Sequence, residues 1–144
     1  MKRLLTLLFP LLALTVSAQP TADEVLALTR LANDYFMNKY EDPTVPTNWK
    51  KVRPSSLWTR AVYYEGLMAL QRIDPQERYI DYTRRWADFH KWTPRNGTRT
   101  CDADDQCCCQ TYMELDPTKT DSIKANLDHQ MQTPNPKNQS LYGW

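Results

Sequence analysis

Gly66-Leu-Met-Ala-Leu-Gln-Arg-Ile-Asp-Pro75 and Gln110-Thr-Tyr-Met-Glu-Leu-Asp-Pro117 follow one plan, forty-two residues apart: an apolar helical run, a turn on Asp-Pro, then the start of another helix. Proline pushes the residue before it out of the helical region, and its own fixed φ suits a first helical turn, so each Asp-Pro stops one helix and starts the next. The period implies a helical-hairpin repeat. It is too long for a tetratricopeptide unit of about 34 residues and leaves an α-helical solenoid or toroid. Composition agrees, since 3 Gly, 10 Pro and few β-branched runs in 144 residues argue for helices between proline-marked turns rather than for sheet.

The same signals extend outward from the two copies. Thr21-Ala-Asp-Glu24 is a capping box with Val25, Leu28, Ala32 and Tyr35 behind it at helical spacing, which predicts a first helix to about Lys39. Residues 41–53, with Pro43 and Pro46, read as a loop. A second helix opens near Pro54-Ser-Ser and carries Trp58, Ala61, Val62, Leu67, Met68 and Leu70 to about Arg72. Asp74-Pro75-Gln-Glu77 supplies the cap and acidic first turn of a third, spaced by Tyr79, Tyr82, Trp86 and His90. Residues 92–100, with Pro94 and Asn96-Gly97, form a turn; a fourth helix then runs to Leu115, and Ile123, Leu127 and Met131 space a fifth.

Residues 1–18 combine a basic start at Lys2 and Arg3, an apolar stretch and the small residues Ser17 and Ala18, the pattern of a secretory signal peptide, so the expected location is periplasmic or secreted. The apolar stretch is broken by Pro10 and falls short of the roughly 20 residues a membrane span needs. Without Lys2 and Arg3, sixteen basic residues face seventeen acidic ones. A nearly neutral chain has no electrostatic reason to seek nucleic acid or an anionic membrane, and nothing in it sets an oligomeric state.

Chemistry concentrates in Cys101-Asp-Ala-Asp-Asp-Gln-Cys-Cys-Cys-Gln-Thr-Tyr-Met-Glu114, which holds three aspartates and all four cysteines. Short polar acceptors passing into Cys108, Tyr112, Met113 and Leu115 mark a helix start with Asp102 or Asp104 as N-cap. Carboxylates at a helix mouth are stabilised as anions, which suits a cap and equally a general base or a substrate-orienting acceptor. The cysteines lack any CxxC spacing, and the chain has no HxxxH, which argues against zinc; an EF-hand counted from Asp102 would need Gly at Cys107 and Glu at Met113. No metal or other cofactor is expected, and the cysteines read as small buried thiols, with Cys101 to Cys108 or Cys109 the conceivable disulfide in an exported chain.

Together, Leu57-Trp-Thr-Arg-Ala-Val-Tyr-Tyr-Glu-Gly-Leu-Met-Ala-Leu70 and Ala103-Asp-Asp-Gln-Cys-Cys-Cys-Gln-Thr-Tyr112 resemble the N-terminal part of glycoside hydrolase families 88 and 105, the unsaturated glucuronyl and rhamnogalacturonyl hydrolases. The resemblance covers roughly residues 27–144 and implies an all-α fold, helical hairpins forming part of an (α/α)6 toroid. It implies an oligosaccharide substrate left by a polysaccharide lyase, with a 4,5-unsaturated uronic acid at the non-reducing end, cleaved by hydration of that double bond. Of the family's two aspartates it places the first at Asp104, with Asp105 next, and Cys109 stands where the family usually has glycine. The second, the principal proton donor, belongs to a Trp-x-Asp-Ala type motif downstream of Pro134. Twelve helices of about 11 residues with connections of about 5 need close to 200 residues, so the chain is expected to be an inactive fragment, residues 19–144 forming the N-terminal portion of the domain.

Beside the aspartates, Trp58 is a candidate to stack on a sugar face and Arg60 to pair with a uronate carboxylate, against the plainer roles of a buried helix-start aromatic and a solvated arginine. Eight tyrosines and five tryptophans either fill a helical core or line a sugar cleft. His90 follows a core stripe and reads as a satisfied interior histidine, His129 as exposed. Asn96-Gly-Thr98 and Asn138-Gln-Ser140 are glycosylation sequons in a host that glycosylates. The rival to the enzyme is an exported α-solenoid binding module, which rests on the helical echo alone.

Overall fold

A computed structural model describes residues 19–133; the signal-peptide reading of residues 1–18, the second sequon and the aromatic stretch at 141–144 lie outside the described residues. The fold is all-α: helices α1 (Ala22–Lys39), α2 (Trp58–Ile73), α3 (Glu77–Phe89), α4 (Ala103–Leu115) and α5 (Asp121–Gln132), with strands β1 (Thr47–Trp49) and β2 (Lys51–Arg53) between the first two helices. No helix among the described residues is long and apolar enough to cross a membrane. The chain divides after Ala32 into two units.

In the first unit α1 starts on the expected capping box: Thr21 N–H donates to Glu24 Oε2 at 2.8 Å, and Glu24 N–H donates to Thr21 Oγ1 at 3.2 Å. The apolar stripe that predicted the helix is not its core, since Val25, Leu28 and Ala32 are exposed, as is Tyr35 farther along.

The second unit begins with the rest of α1. Asn33 accepts from the Tyr63 hydroxyl at 2.7 Å, and the Phe36 ring stacks on Tyr63. The segment expected to be loop, 41–53, contains an antiparallel hairpin in which Asn48 pairs with Val52 around Lys50 at φ 55°. Its anchor is tertiary: Arg60 Nη2 donates to Thr47 Oγ1 at 2.8 Å and to the Val45 carbonyl at 3.4 Å, while its guanidinium lies 3.8 Å from the Tyr40 ring. Two helix starts also differ from expectation. α2 begins at Trp58 because residues 54–57 close a turn of their own, and α3 is capped by Gln76, whose side chain instead donates to Asp74 at 2.7 Å.

The repeat is visible as a register. Arg72 pairs with Glu114 and Glu65 meets Cys107, both at a separation of 42 residues, so α2 and α4 lie side by side and parallel. The preceding helices follow a similar offset: the Tyr82 hydroxyl donates to the Tyr40 carbonyl, again 42 residues away, and Arg78 pairs with Asp34 at 44. Within a repeat α2 and α3 run antiparallel, since Ser55 meets His90 at one end and Asp74 meets Tyr79 at the other. Between them and α4 sits an aromatic core: Tyr64 stacks on Trp86 at 3.9 Å, Trp86 tilts against Tyr112 at 5.1 Å, and all three are fully buried. Of the α5 stripe only Ile123 is buried, while Leu127 and Met131 face outward.

Candidate active site

The parallel pairing of α2 and α4 brings one face of each to a shared groove. On α2, Trp58, Val62 and Glu65 follow one another at four and three residues; on α4, Asp104, Cys107 and Gln110 do so at three. Trp58, Val62, Ala103, Asp104, Gln106, Cys107 and Gln110 line a cleft of about 480 Å³. Small-molecule sites are typically about 300–1,000 Å³ and mostly apolar with a few polar groups, which matches this wall. Trp58 keeps 45% of its surface exposed, so it is cleft wall rather than core.

The mouth of α4 is built by carboxylates with divided tasks. Asp102 is the N-cap, its carboxylate accepting from Asp104 N–H at 2.9 Å. Successive helical residues point about 100° apart, so the two expected candidates cannot share an environment. Asp105 turns inward, is 2% exposed, and pairs with Arg95. Its Oδ2 also accepts from Thr100 Oγ1 at 2.6 Å and Asn96 Nδ2 at 3.0 Å, and its carbonyl accepts from Arg95 N–H at 2.9 Å. The turn it holds passes through Asn96 at φ 67° and Gly97 at φ 86°, where glycine removes the strain of the left-handed region. Asn126 of α5 holds the same turn, donating to the carbonyls of Thr98 at 3.0 Å and Thr100 at 2.7 Å. Asp104 is half-buried at the cleft, and among the described residues no hydrogen bond ties its carboxylate down.

Glu65 sits behind the wall. Cys107 Sγ lies 3.5 Å from Glu65 Oε1, and the Gln110 amide is assigned with its nitrogen toward Glu65, because a carboxylate accepts and cannot donate; so turned, it donates to the two carboxylate oxygens at 3.1 and 3.0 Å. Burial, with the charges of Glu65 and Asp104 adding to it, pushes the Cys107 thiol up to about 12, so it is a neutral group and not a nucleophile. Cys108 and Cys109 are buried, Cys101 is half-buried, and all four cysteines are free thiols.

The structure therefore brings Trp58 and Asp104 together and leaves Asp105 and Arg60 elsewhere. Arg60 is 4% exposed beneath the hairpin and the Tyr40 ring, neither lining the cleft nor solvated. His90 meets Ser55 Oγ through Nε2 at 2.7 Å, burial lowering its pKa to about 4, and His129 is half-buried on α5. No group of three or more His, Cys, Asp or Glu side chains among the described residues is arranged to hold a metal ion. The sequence singles out neither Glu65 nor Gln110 and reads Cys107 only as a small buried thiol; the forty-two-residue echo, applied as a register, would have paired Glu65 with Cys107.

No curated protein and no solved structure matches the chain. Residues 28–141, which include α2, α4 and the whole cleft wall, match the family model described as Glycosyl Hydrolase Family 88. With its all-α hairpins in register and a carboxylate beside an exposed tryptophan, the chain belongs to glycosyl hydrolase family 88, and its substrate is a carbohydrate.

Proposed function

We propose that the protein hydrolyses unsaturated uronyl oligosaccharides of the glucuronyl or rhamnogalacturonyl kind by hydrating the C4–C5 double bond. The observation that carries this reading is Asp104, a carboxylate without a tethering hydrogen bond among the described residues, in one cleft with the exposed face of Trp58. A proton is delivered to C4, water adds its oxygen at C5 and gives up a proton to a carboxylate, and the resulting hemiketal opens with release of the neighbouring sugar. A carboxyl group serves both halves, donating in its acid form and accepting as its base. Ordinary glycosidases place two carboxyl groups across the scissile bond, whereas here the pair acts on a vinyl ether. Asp104 is one member of the pair, activating the water. The second member, the principal proton donor, is the aspartate of the Trp-x-Asp-Ala type motif that the family resemblance implies. Trp58 stacks on the sugar, and Asp105 acts as a positioning residue that fixes the mouth of α4. Residues 1–18 act as a signal peptide, placing the enzyme in the periplasm or outside the cell.

The test follows loss of the double bond's ultraviolet absorbance in an unsaturated uronyl disaccharide, using the full-length protein. Asp104→Asn should lower kcat by about 100-fold or more with KM within a few-fold, the usual effect of removing an acid-base group. Activity within a few-fold of wild type would remove Asp104 from the chemistry. Failure of the wild type to consume the double bond would remove the reaction.

A further inference from the structure

We propose that Gln110 determines specificity in the cleft: clamped by Glu65 through its amide nitrogen, it offers the sugar only its carbonyl oxygen and so selects a ring that presents a free hydroxyl there. The identity of the sugar rests on the hydrolase reading, whereas the clamp rests on geometry alone. An amide side chain can normally turn over and present either its donor or its acceptor end. Gln110 has lost that choice, because one end of its amide lies 3.0 and 3.1 Å from the two oxygens of Glu65, and beside a carboxylate, which can only accept, that end must be the nitrogen. Turned over, it would set its own oxygen against the carboxylate. Its carbonyl oxygen is thus directed away from Glu65, on an exposed side chain that lines the cleft. Cys107 completes the lock, since its thiol approaches Glu65 Oε1 at 3.5 Å and occupies the carboxylate from the neighbouring turn.

Along the wall, Asp104 and Gln110 are six residues apart, about 9 Å of helix, a distance that a disaccharide spans. Both present acceptors to the cleft, with the apolar surfaces of Val62 and Trp58 opposite on α2. Such a wall suits a ring that donates hydroxyl protons while resting its carbon face on Trp58. A ring whose hydroxyls are etherified leaves the Gln110 oxygen without a partner once water is excluded, and sites built around a hydrogen bond discriminate strongly against ligands that lack it.

The experiment is titration calorimetry of the protein with a saturated glucuronyl disaccharide and with its O-methylated counterpart, which need no turnover. Wild type should favour the free disaccharide, and Gln110→Met, equal in length but without an acceptor, should narrow that preference by about tenfold. Glu65→Leu, which lets the amide turn, should narrow it part of the way. Glu65→Gln, whose own amide can turn over and so holds the Gln110 nitrogen less exclusively than a carboxylate, should fall between Glu65→Leu and wild type. The proposal falls if wild type binds neither sugar, if Gln110→Met keeps the full preference, or if Glu65→Leu matches wild type. Consumption of the double bond is scored separately: binding preference without turnover sinks the hydrolase reading and leaves Gln110 standing, and turnover without preference does the reverse.

Discussion

The helices α2 and α4 are equivalent members of the repeat, forty-two residues apart and parallel, yet their N-terminal ends are secured by different chemistry. The mouth of α2 carries no carboxylate, and its anchor is neutral. Leu57 provides no side-chain cap, and the segment is held from beneath by Ser55, whose hydroxyl meets His90 and whose carbonyl accepts from Trp86 Nε1 at 3.0 Å. The mouth of α4 is ionic, with Asp102 capping and the buried Asp105 gripping Arg95, Asn96 and Thr100. The repeat demands only that a helix begin at each place. A neutral anchor is satisfied by packing and a pair of hydrogen bonds, whereas carboxylates must be individually partnered, and the one left over, Asp104, faces the cleft.

The sharpest way to break this comparison is Arg95→Ala. It leaves the Asp105 carboxylate buried with only neutral donors, a defect that typically costs about 3–5 kcal/mol, measured as the change in unfolding free energy in denaturant. The matched pair Arg95→Met with Asp105→Asn should recover most of the loss, because no unpaired charge then remains. A cost near 1 kcal/mol for Arg95→Ala alone would mean that the two mouths are energetically alike.

At the neutral mouth the corresponding effect is pH-dependent. Burial lowers the His90 pKa from 6.5 to about 4, so above pH 6.5 the ring is neutral both folded and unfolded. As pH falls through that window the unfolded chain takes up a proton that the folded state resists; stability declines between about 6.5 and about 4 and levels off below. Denaturant midpoints across the window should show the decline, and His90→Gln, which can still bond Ser55, should flatten it. An unchanged slope in that variant would assign the titration to another group.

The smallest expected effect is at the cap. Asp102→Ala removes the acceptor for Asp104 N–H and should cost about 1 kcal/mol in a thermal or denaturant melt, a loss α2 cannot suffer because Leu57 makes no such bond. No measurable change would show that the ionic network secures α4 without its cap.

Much of the helical plan was legible because it is written in local chemistry. Thr21 and Glu24 are three residues apart and can satisfy each other without help from the rest of the chain, and the two Asp-Pro turns stop helices by steric exclusion wherever they occur. The β1–β2 hairpin was missed because its support comes from Arg60, and nothing near residue 47 reveals that a guanidinium will be buried there. The same contact explains why Arg60 is neither a solvated residue nor a cleft residue.

The sequence by itself determined the helices, the forty-two-residue repeat, the acidic start of α4 and the family, all of which depend on residue types at fixed spacing. Only the tertiary structure decided which aspartate meets the cleft. Asp104 and Asp105 are identical in composition and adjacent in sequence, and their difference is a rotation of about 100° around α4 whose direction is set by Arg95 and the 95–100 turn on one side and by α2 on the other. Pairing at a distance likewise set the Gln110 amide, because its orientation is determined by a carboxylate 45 residues away, brought into reach by the packing of two parallel helices.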